Sequence, residues 1–382
     1  MGSVIITKIA DNIVSPLGVT SDENFEAILS NETGLKKQEG TFGVPEPFFA
    51  SLFDRKEMSG LFEKEIGSNC DLTFFEKLCI LSAKKAIEEC NLSPSESNVL
   101  FILSTTKGNI ECLEDSLSDN RCYLAESAYR IAKHFGNGNI PLVVSNACIS
   151  GVCAQIAAVR ELIGGRYRYA VVVGGDVLSK FIVSGFQSFK ALSPVQCKPY
   201  DKDRIGLNLG EAAGTIILEA KTTPGTDGWE YVSSSIHNDA NHISGPSRTG
   251  EGSFRVLNDI LQDVNMDEVG FVNVHGTSTV YNDEMESIAL HRANMDQVPI
   301  NGLKGYYGHT LGAAGIIETI LSMKAIENGV VLPTKGFDTI GTTYKVNISN
   351  RIRKTDKSAF IKILSGFGGS NAGISYMKGG EL

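Results

Sequence analysis

Short runs dominated by Val, Ile, Leu and Phe alternate along the chain with stretches whose hydrophobic residues recur at helical spacing. In the first half the runs are NVLFILST (98–105), PLVVSNA (141–147), YAVVVGGD (169–176) and GTIILEA (214–220). In the second they are FVNVHGT (271–277), FIKILSGFG (360–368) and AGISYM (372–377). Runs so continuously apolar suit strands buried on both faces, as in helix-covered sheets. Helical patterns over 253–264, 282–293 and 313–328 separate or flank the later runs. The same rhythm stands on both sides of the Thr/Pro/Gly/Asp stretch TTPGTDG (222–228), which predicts an α/β chain of two similar halves, 1–225 and 226–382.

Composition narrows the class. A chain of 382 residues, 42% hydrophobic and 21% charged, can bury one large core or two intimate ones. The formal charge of −9 argues against a general binder of nucleic acid or of a membrane surface, which would carry a basic excess. The start MGSVIITKIA has no basic segment followed by a long apolar one, and no uninterrupted apolar run reaches spanning length, so the expectation is a soluble cytoplasmic protein. Ile6 stands where myristoylation of Gly2 would want Ser or Thr. The eight cysteines form no CxxC pair and no Cys/His cluster, which points away from zinc, and the length excludes a small disulfide scaffold.

One cysteine differs from the other seven in its setting. In VVSNACISGVCAQIAAVRELIGG (143–165) an apolar strand runs into Cys148 at the mouth of a helix of small and apolar residues. Such a sulfur faces the crevice beyond the strand's carboxyl end, where the partial positive charge of a helix N-terminus favours thiolate. Taken alone, Cys148 reads as one more buried thiol. Two other stretches change that reading. In VNVHGTSTVYNDEMES, His275 ends a strand before a polar loop and an acidic helix start; in NGLKGYYGHTLGAAGIIETI, Lys304 and His309 bracket a glycine-rich loop before a close-packed helix. Two of six histidines in strand-to-helix loops suit proton transfer and oxyanion stabilisation at neutral pH.

NACISG, HGTST with NDEME behind it, LKGYYGHTLGAAG and the terminal GFGGSN, in that order, resemble the β-ketoacyl-acyl carrier protein synthases. These are the elongating condensing enzymes of the thiolase fold, and the likeness covers nearly the whole chain. The resemblance implies a layered αβαβα architecture in which both halves carry helix-covered mixed sheets. It implies Cys148 as the nucleophile that accepts an acyl chain, and His275 and His309 as the pair that binds the malonyl thioester and stabilises the enolate left by decarboxylation. Lys304 would set the electrostatics of the site, with Glu286 as its charge partner and Asp283 beside it; an ordinary solvated ion pair is the alternative for Lys304 and Glu286. Thr277 and Thr279 would bind the phosphopantetheine arm, or serve only as helix-entry hydroxyls. Phe367 would gate the acyl pocket, its N–H joining that of Cys148 as an oxyanion hole, where the bland reading is a core phenylalanine.

The same resemblance implies no metal or redox cofactor, since phosphopantetheine belongs to the carrier, and an acyl carrier protein as partner. It also implies a homodimer, or a heterodimer with a related subunit. Carrier proteins are acidic, so Arg351, Arg353, Lys354 and Lys357, or Arg121, Arg130 and Lys133, are candidate docking clusters. The chain departs from the family pattern at Ile149, Val280 and Tyr281 and in GEAAG, changes expected to alter pocket shape. Chain elongation in fatty acid, polyene or polyketide synthesis is the expected function. A Cys/His thioester hydrolase of the same fold and a non-catalytic scaffold subunit are the alternatives.

Overall fold

A computed structural model describes residues 4–68, 71–115, 120–223 and 228–379. Most of the TTPGTDG seam, and Cys70, lie outside the described residues. The ten strands of the main sheet are β1 (Ile5–Val14), β2 (Val99–Ser104), β3 (Leu142–Val144), β4 (Tyr169–Asp176) and β5 (Ala212–Lys221), then β6 (Trp229–Asn238), β7 (Val269–Asn273), β8 (Ile300–Asn301), β9 (Ala359–Gly366) and β10 (Ser370–Lys378). Five helices bear on the site or the core: α1 (Phe74–Cys90), α2 (Ser150–Ile163), α3 (Glu251–Ile260), α4 (Val280–Arg292) and α5 (Ala314–Glu327).

The strand order is β8-β7-β9-β10-β6-β1-β5-β4-β2-β3. In the first half β1 runs antiparallel to β5 and β5 to β4, while β4 is parallel to β2 and β2 to β3. The second half repeats this pattern: β6 antiparallel to β10, β10 to β9, then β9 parallel to β7 and β7 to β8. Each half therefore places its five strands in the order first, fifth, fourth, second, third. The halves join edge to edge through Thr7 opposite Glu230 and Lys8 opposite Trp229.

Helices cover both faces, which is why β2 and β4 read as unbroken apolar runs and β9 as one interrupted only by Lys362 and Ser365. On the outer side, α1 packs against β1, β5 and β4, and α3 against β6, β10 and β9. Thr73 starts α1 with a capping box: its hydroxyl accepts the Glu76 N–H and the Glu76 carboxylate accepts the Thr73 N–H. Between the halves, α2 and α5 pack on one another and touch strands of both. The result is the layered αβαβα arrangement of the thiolase-like fold. The α2/α5 crossing needs glycine, because a Cβ on Gly151 would stand 2.9 Å from the Cα of Gly315. Gly165, just past α2, takes φ of 76°, the left-handed conformation that ends a helix.

The strand Trp229–Asn238 has no clean apolar pattern. Its serines are used for hydrogen bonds rather than packing: Ser233 donates to Asp263 and Ser235 to Asp259 of α3, both at 2.7 Å. Among the described residues no helix is long and apolar enough to cross a membrane.

Candidate active site

After β3 the chain turns through Asn146 and Ala147 to Cys148, and α2 begins at Ser150. Ala147 takes φ of 45°, unusual for a residue with a side chain. Ser150 ties this turn: its hydroxyl donates to the Ala147 carbonyl at 2.6 Å and accepts the Asn146 N–H at 2.8 Å. Gly366 lies directly behind it, where a Cβ would come within 3.2 Å of the Cys148 nitrogen. Cys148 is 7% exposed. Burial pushes its thiol up to about 11, against the opposing pull of the Lys304 and Lys107 charges and the Phe367 N–H. The expected resting thiolate is therefore corrected to a resting thiol, because desolvation outweighs the favourable charges.

His275 follows β7 by two residues and His309 follows a short helical turn, Lys304–Tyr307, that replaces the expected glycine-rich loop. Both rings are buried, their centroids 5.0 Å apart and their planes at 81°. The Leu311 N–H donates to His309 Nδ1 at 3.2 Å, so Nδ1 is an acceptor and the neutral ring carries its proton on Nε2. That Nε2 is buried and has no protein partner among the described residues, and the same is true of His275 Nδ1. Burial first, then the Lys304 and Lys362 charges, push both histidines well below their ordinary range, so both rings are neutral near pH 7.

The carboxylates take different roles from those expected. Lys304, 1% exposed, donates to the His275 carbonyl at 2.6 Å and pairs with Glu318 of α5 at 2.8 Å. Glu286 is not its partner: the Glu286 carboxylate accepts the N–H groups of His275 at 2.7 Å and Gly276 at 2.8 Å. It is occupied by backbone donors in the loop it faces, while Glu318 comes from the central helix behind the histidines. Burial, with the Asp283 charge, raises Glu286 to about 7. Asp283 accepts the N–H groups of Thr277 at 3.0 Å, Ser278 at 3.2 Å and Tyr200 at 2.7 Å. The first turns of α4 thus clamp the loop from His275 to Ser278.

Two further residues complete the site, Glu318 and Lys362, and neither lies within the motifs that carry the resemblance. Lys362 sits fully buried in the middle of β9, pairs with Glu318 at 2.5 Å and donates to the Val274 carbonyl at 3.1 Å. A lysine inside the apolar run FIKILSGFG was the signal available.

A cavity of about 420 Å³ opens above these groups and is lined by Cys148, His275, His309, Thr277, Thr279 and Phe367 among others. The Thr277 and Thr279 hydroxyls are 2.9 Å apart, and Thr279 also caps α4 through the Asn282 N–H. Thr279 is thus a helix-entry hydroxyl and a wall of the cavity at once. Phe367 is half-buried, its ring stacked on Phe186 at 5.9 Å and edge-on to Phe189 at 5.3 Å. Val280 and Tyr281, two of the departures noted above, stand exposed at the cavity's rim. One ligand-capable atom from each of Cys148, His275 and His309 lies within 4.8 Å of the others, close enough to share a small group or, by composition, to hold a metal ion.

The candidate docking clusters are partly self-neutralised. Arg130 pairs with Asp71 at 2.8 Å and Glu126 at 2.7 Å, and Arg121 also pairs with Asp71. Lys133 lies over the Tyr129 ring. Arg353 is held by Asn347 and the Ile348 carbonyl, while Arg351, Lys354 and Lys357 are exposed.

Residues 9–223 match the family described as the β-ketoacyl synthase N-terminal domain, and residues 230–338 match its C-terminal domain. The chain belongs to the β-ketoacyl synthase family. It is a condensing enzyme of acyltransferase type, of fatty acid or polyketide synthesis. A curated relative, 3-oxoacyl-(acyl-carrier-protein) synthase 2 of Vibrio cholerae, is 27% identical over 98% of this chain and 99% of its own length. Nodulation protein E of Rhizobium leguminosarum bv. trifolii is 26% identical over 89% of this chain and 92% of its own. In fold the chain is similar to the ketosynthase ApeO of Xenorhabdus doucetiae, solved with its chain length factor ApeC (TM-score 0.83, 21% identity, 98% of each chain). The ishigamide ketosynthase/chain length factor is similar to the same degree (TM-score 0.84, 22% identity, 98% of each chain).

Proposed function

We propose that this β-ketoacyl synthase condenses an acyl group held on Cys148 with a malonyl group carried by an acyl carrier protein. The observation that carries the reading is the juxtaposition of one buried thiol with two neutral imidazoles, one of fixed tautomer, in a single cavity.

In the first half-reaction the Cys148 sulfur attacks the acyl thioester carbonyl. Its proton passes by way of a neighbouring neutral imidazole to the departing phosphopantetheine thiol, and the C–S bond to the carrier breaks. The N–H groups of Cys148 and Phe367 take the developing oxyanion. In the second, malonyl thioester lies with its carbonyl oxygen toward the histidines. The carbon–carboxylate bond breaks, carbon dioxide leaves, and the electron pair becomes an enolate that the His309 Nε2–H stabilises. The enolate carbon attacks the Cys148 thioester, the C–S bond breaks, and a β-ketoacyl product forms on the carrier while the departing thiolate takes up one proton from water. Buried, preorganised donors stabilise such an enolate where water would have to reorganise. No step uses a metal or a redox cofactor, and Thr277 and Thr279, which line the cavity, would hydrogen-bond the amide-rich arm.

A dimer fits this reading. Strand β3 ends the sheet with half-exposed apolar residues, leads straight into the nucleophile turn, and offers an unpaired edge to a partner. A related subunit, as in the ApeO and ApeC complex, or a second copy would fit there. The catalytic thiol must stay reduced, which suits the cytoplasm.

Reconstitution tests the proposal: an acyl donor and malonyl carrier protein should give β-ketoacyl product and carbon dioxide one for one. Free acid released from the acyl donor would instead indicate hydrolysis. No turnover with any donor, alone or with a related subunit, would leave a scaffold role.

A further inference from the structure

Lys362 is a charged residue buried at the centre of a sheet, and the steps above do not use it. Taking an ammonium out of water is costly unless it is paired and hydrogen-bonded, so its surroundings show what holds it there. On β9 it lies beside Asn273 of β7 in parallel register, directly under the turn that carries His275. Its ammonium touches two groups: the carbonyl of Val274 at 3.1 Å and the carboxylate of Glu318 at 2.5 Å. Lys304 approaches the other oxygen of Glu318 at 2.8 Å and the carbonyl of His275 at 2.6 Å. Two consecutive carbonyls, those of Val274 and His275, are therefore held by two lysines that share one carboxylate. The two consecutive N–H groups of His275 and Gly276 are held from the opposite side by Glu286.

We propose that Lys362 is a positioning residue for decarboxylation, bracing Glu318 and the Val274 carbonyl so that His275 is held rigidly and the charge behind the histidine pair is net positive. The inference rests on the condensation reading and assigns it a residue that acts through His275 and Glu318. Every charged group facing Lys362 enters the balance: Glu318 from α5, Lys304 from its short turn and Glu286 from α4, with His275 and His309 above. Glu318 supplies one negative charge between two lysines, and Glu286 is raised to about 7, so the set leans positive at neutral pH. That field disfavours a second cation on either imidazole and favours the enolate oxygen that forms beside them. Burial pulls Lys362 itself down to about 8, so the second cation fades on the alkaline side.

The test uses the full chain with Lys362→Gln, which keeps a donor and removes the charge, and Lys362→Arg, which keeps the charge. Cys148 acylation is read by intact mass, and condensation kcat and KM are read against pH. Lys362→Gln should still reach full acylation of Cys148, with a smaller loss of rate than in condensation, since acylation asks of the loosened imidazole only the relay of one proton. Its condensation kcat should fall about 10–100-fold, the size of loss seen when the outer partner that orients a metal-bound histidine is removed. Its acid limb should move to higher pH, because removing a nearby positive charge raises the pKa of both histidines and activity needs them neutral. Lys362→Arg should restore the position of that limb. A Lys362→Gln protein with normal acylation, wild-type kcat and an unmoved acid limb would overturn the proposal and leave Lys362 as a merely structural partner of Glu318. If Gln fails to fold, the Arg variant decides: its acid limb must coincide with wild type, and displacement despite retained charge contradicts the electrostatic role. Wild type is run alongside, so loss of condensation in wild type itself would count against the function and not against Lys362.

Discussion

The backbone N–H of Leu311 donates to Nδ1 of His309 across 3.2 Å, and this single contact decides which nitrogen of the ring carries a proton. With Nδ1 accepting, the Nε2–H points at buried space without a protein partner among the described residues. A ring fixed this way is a donor toward an oxygen anion rather than a base. Replacing His309 by Ala should lower the decarboxylation rate about 10²–10³-fold, the cost of one oxyanion donor, while Cys148 still acylates. Carbon dioxide release from malonyl carrier protein, beside the acyl mass, separates the two effects. Equal loss of both half-reactions would contradict the assignment.

Cys148 is pushed up to about 11 by burial, so alkylation by iodoacetamide should be slow at neutral pH and climb through the alkaline range. A rate already level by pH 7 would show a resting thiolate and reverse the balance between desolvation and the Lys304 and Lys107 charges.

Glu318 stands between two buried lysines, and its carboxyl is held below the usual range by Lys304 and Lys362 despite burial. Glu318→Ala strands both ammonium groups and should cost about 3–5 kcal/mol of stability by urea unfolding. A group with a depressed folded pKa contributes stability above its unfolded value, near 4.5, and loses it as pH falls through the folded one. The wild-type protein should therefore weaken toward acid below about pH 4.5 more steeply than Glu318→Gln. Equal acid sensitivity would contradict the pairing.

The α2/α5 crossing predicts a packing defect. A methyl on Gly151 would meet Gly315 backbone at 2.9 Å on both Cα and N, so Gly151→Ala should cost about 1–3 kcal/mol, seen as a lower Tm. Because α2 carries Cys148 at its mouth, acylation should slow as well.

Much of this was legible in the chain. Continuous apolar runs mark β2 and β4, since only strands covered on both sides can be so uniform, and β9 shows the same run apart from Lys362 and Ser365. Cys148 and His275 stand out because each follows a strand into a turn before a helix, and His309 because it sits among glycines ahead of the close-packed α5, although a helical turn and not a strand precedes it. The strand Trp229–Asn238 was hidden because its serines serve Asp259 and Asp263 instead of the core. The motif points to Glu286 as the partner of Lys304, but which carboxylate meets an ammonium depends on how α4 and α5 pack, and spacing along the chain does not carry that. Lys362 was hidden for the same reason: its partners come from α5 and from the turn after β7.

Cys148, His275 and His309 also form a composition that binds soft metal ions. Condensation should survive a strong chelator unchanged, and zinc should inhibit by occupying the three atoms the substrate needs. Loss of activity on chelation, restored by metal, would contradict metal-free chemistry.

The central claim is that Cys148 carries the growing chain. Intact-mass spectrometry of the protein and of Cys148→Ala, incubated with a panel of acyl-carrier-protein thioesters and then with malonyl carrier protein, tests it most directly. Wild type alone should gain one acyl mass and lose it on malonyl addition as a β-ketoacyl product appears. An adduct of the same mass on Cys148→Ala, or none on wild type with any donor, would contradict the account.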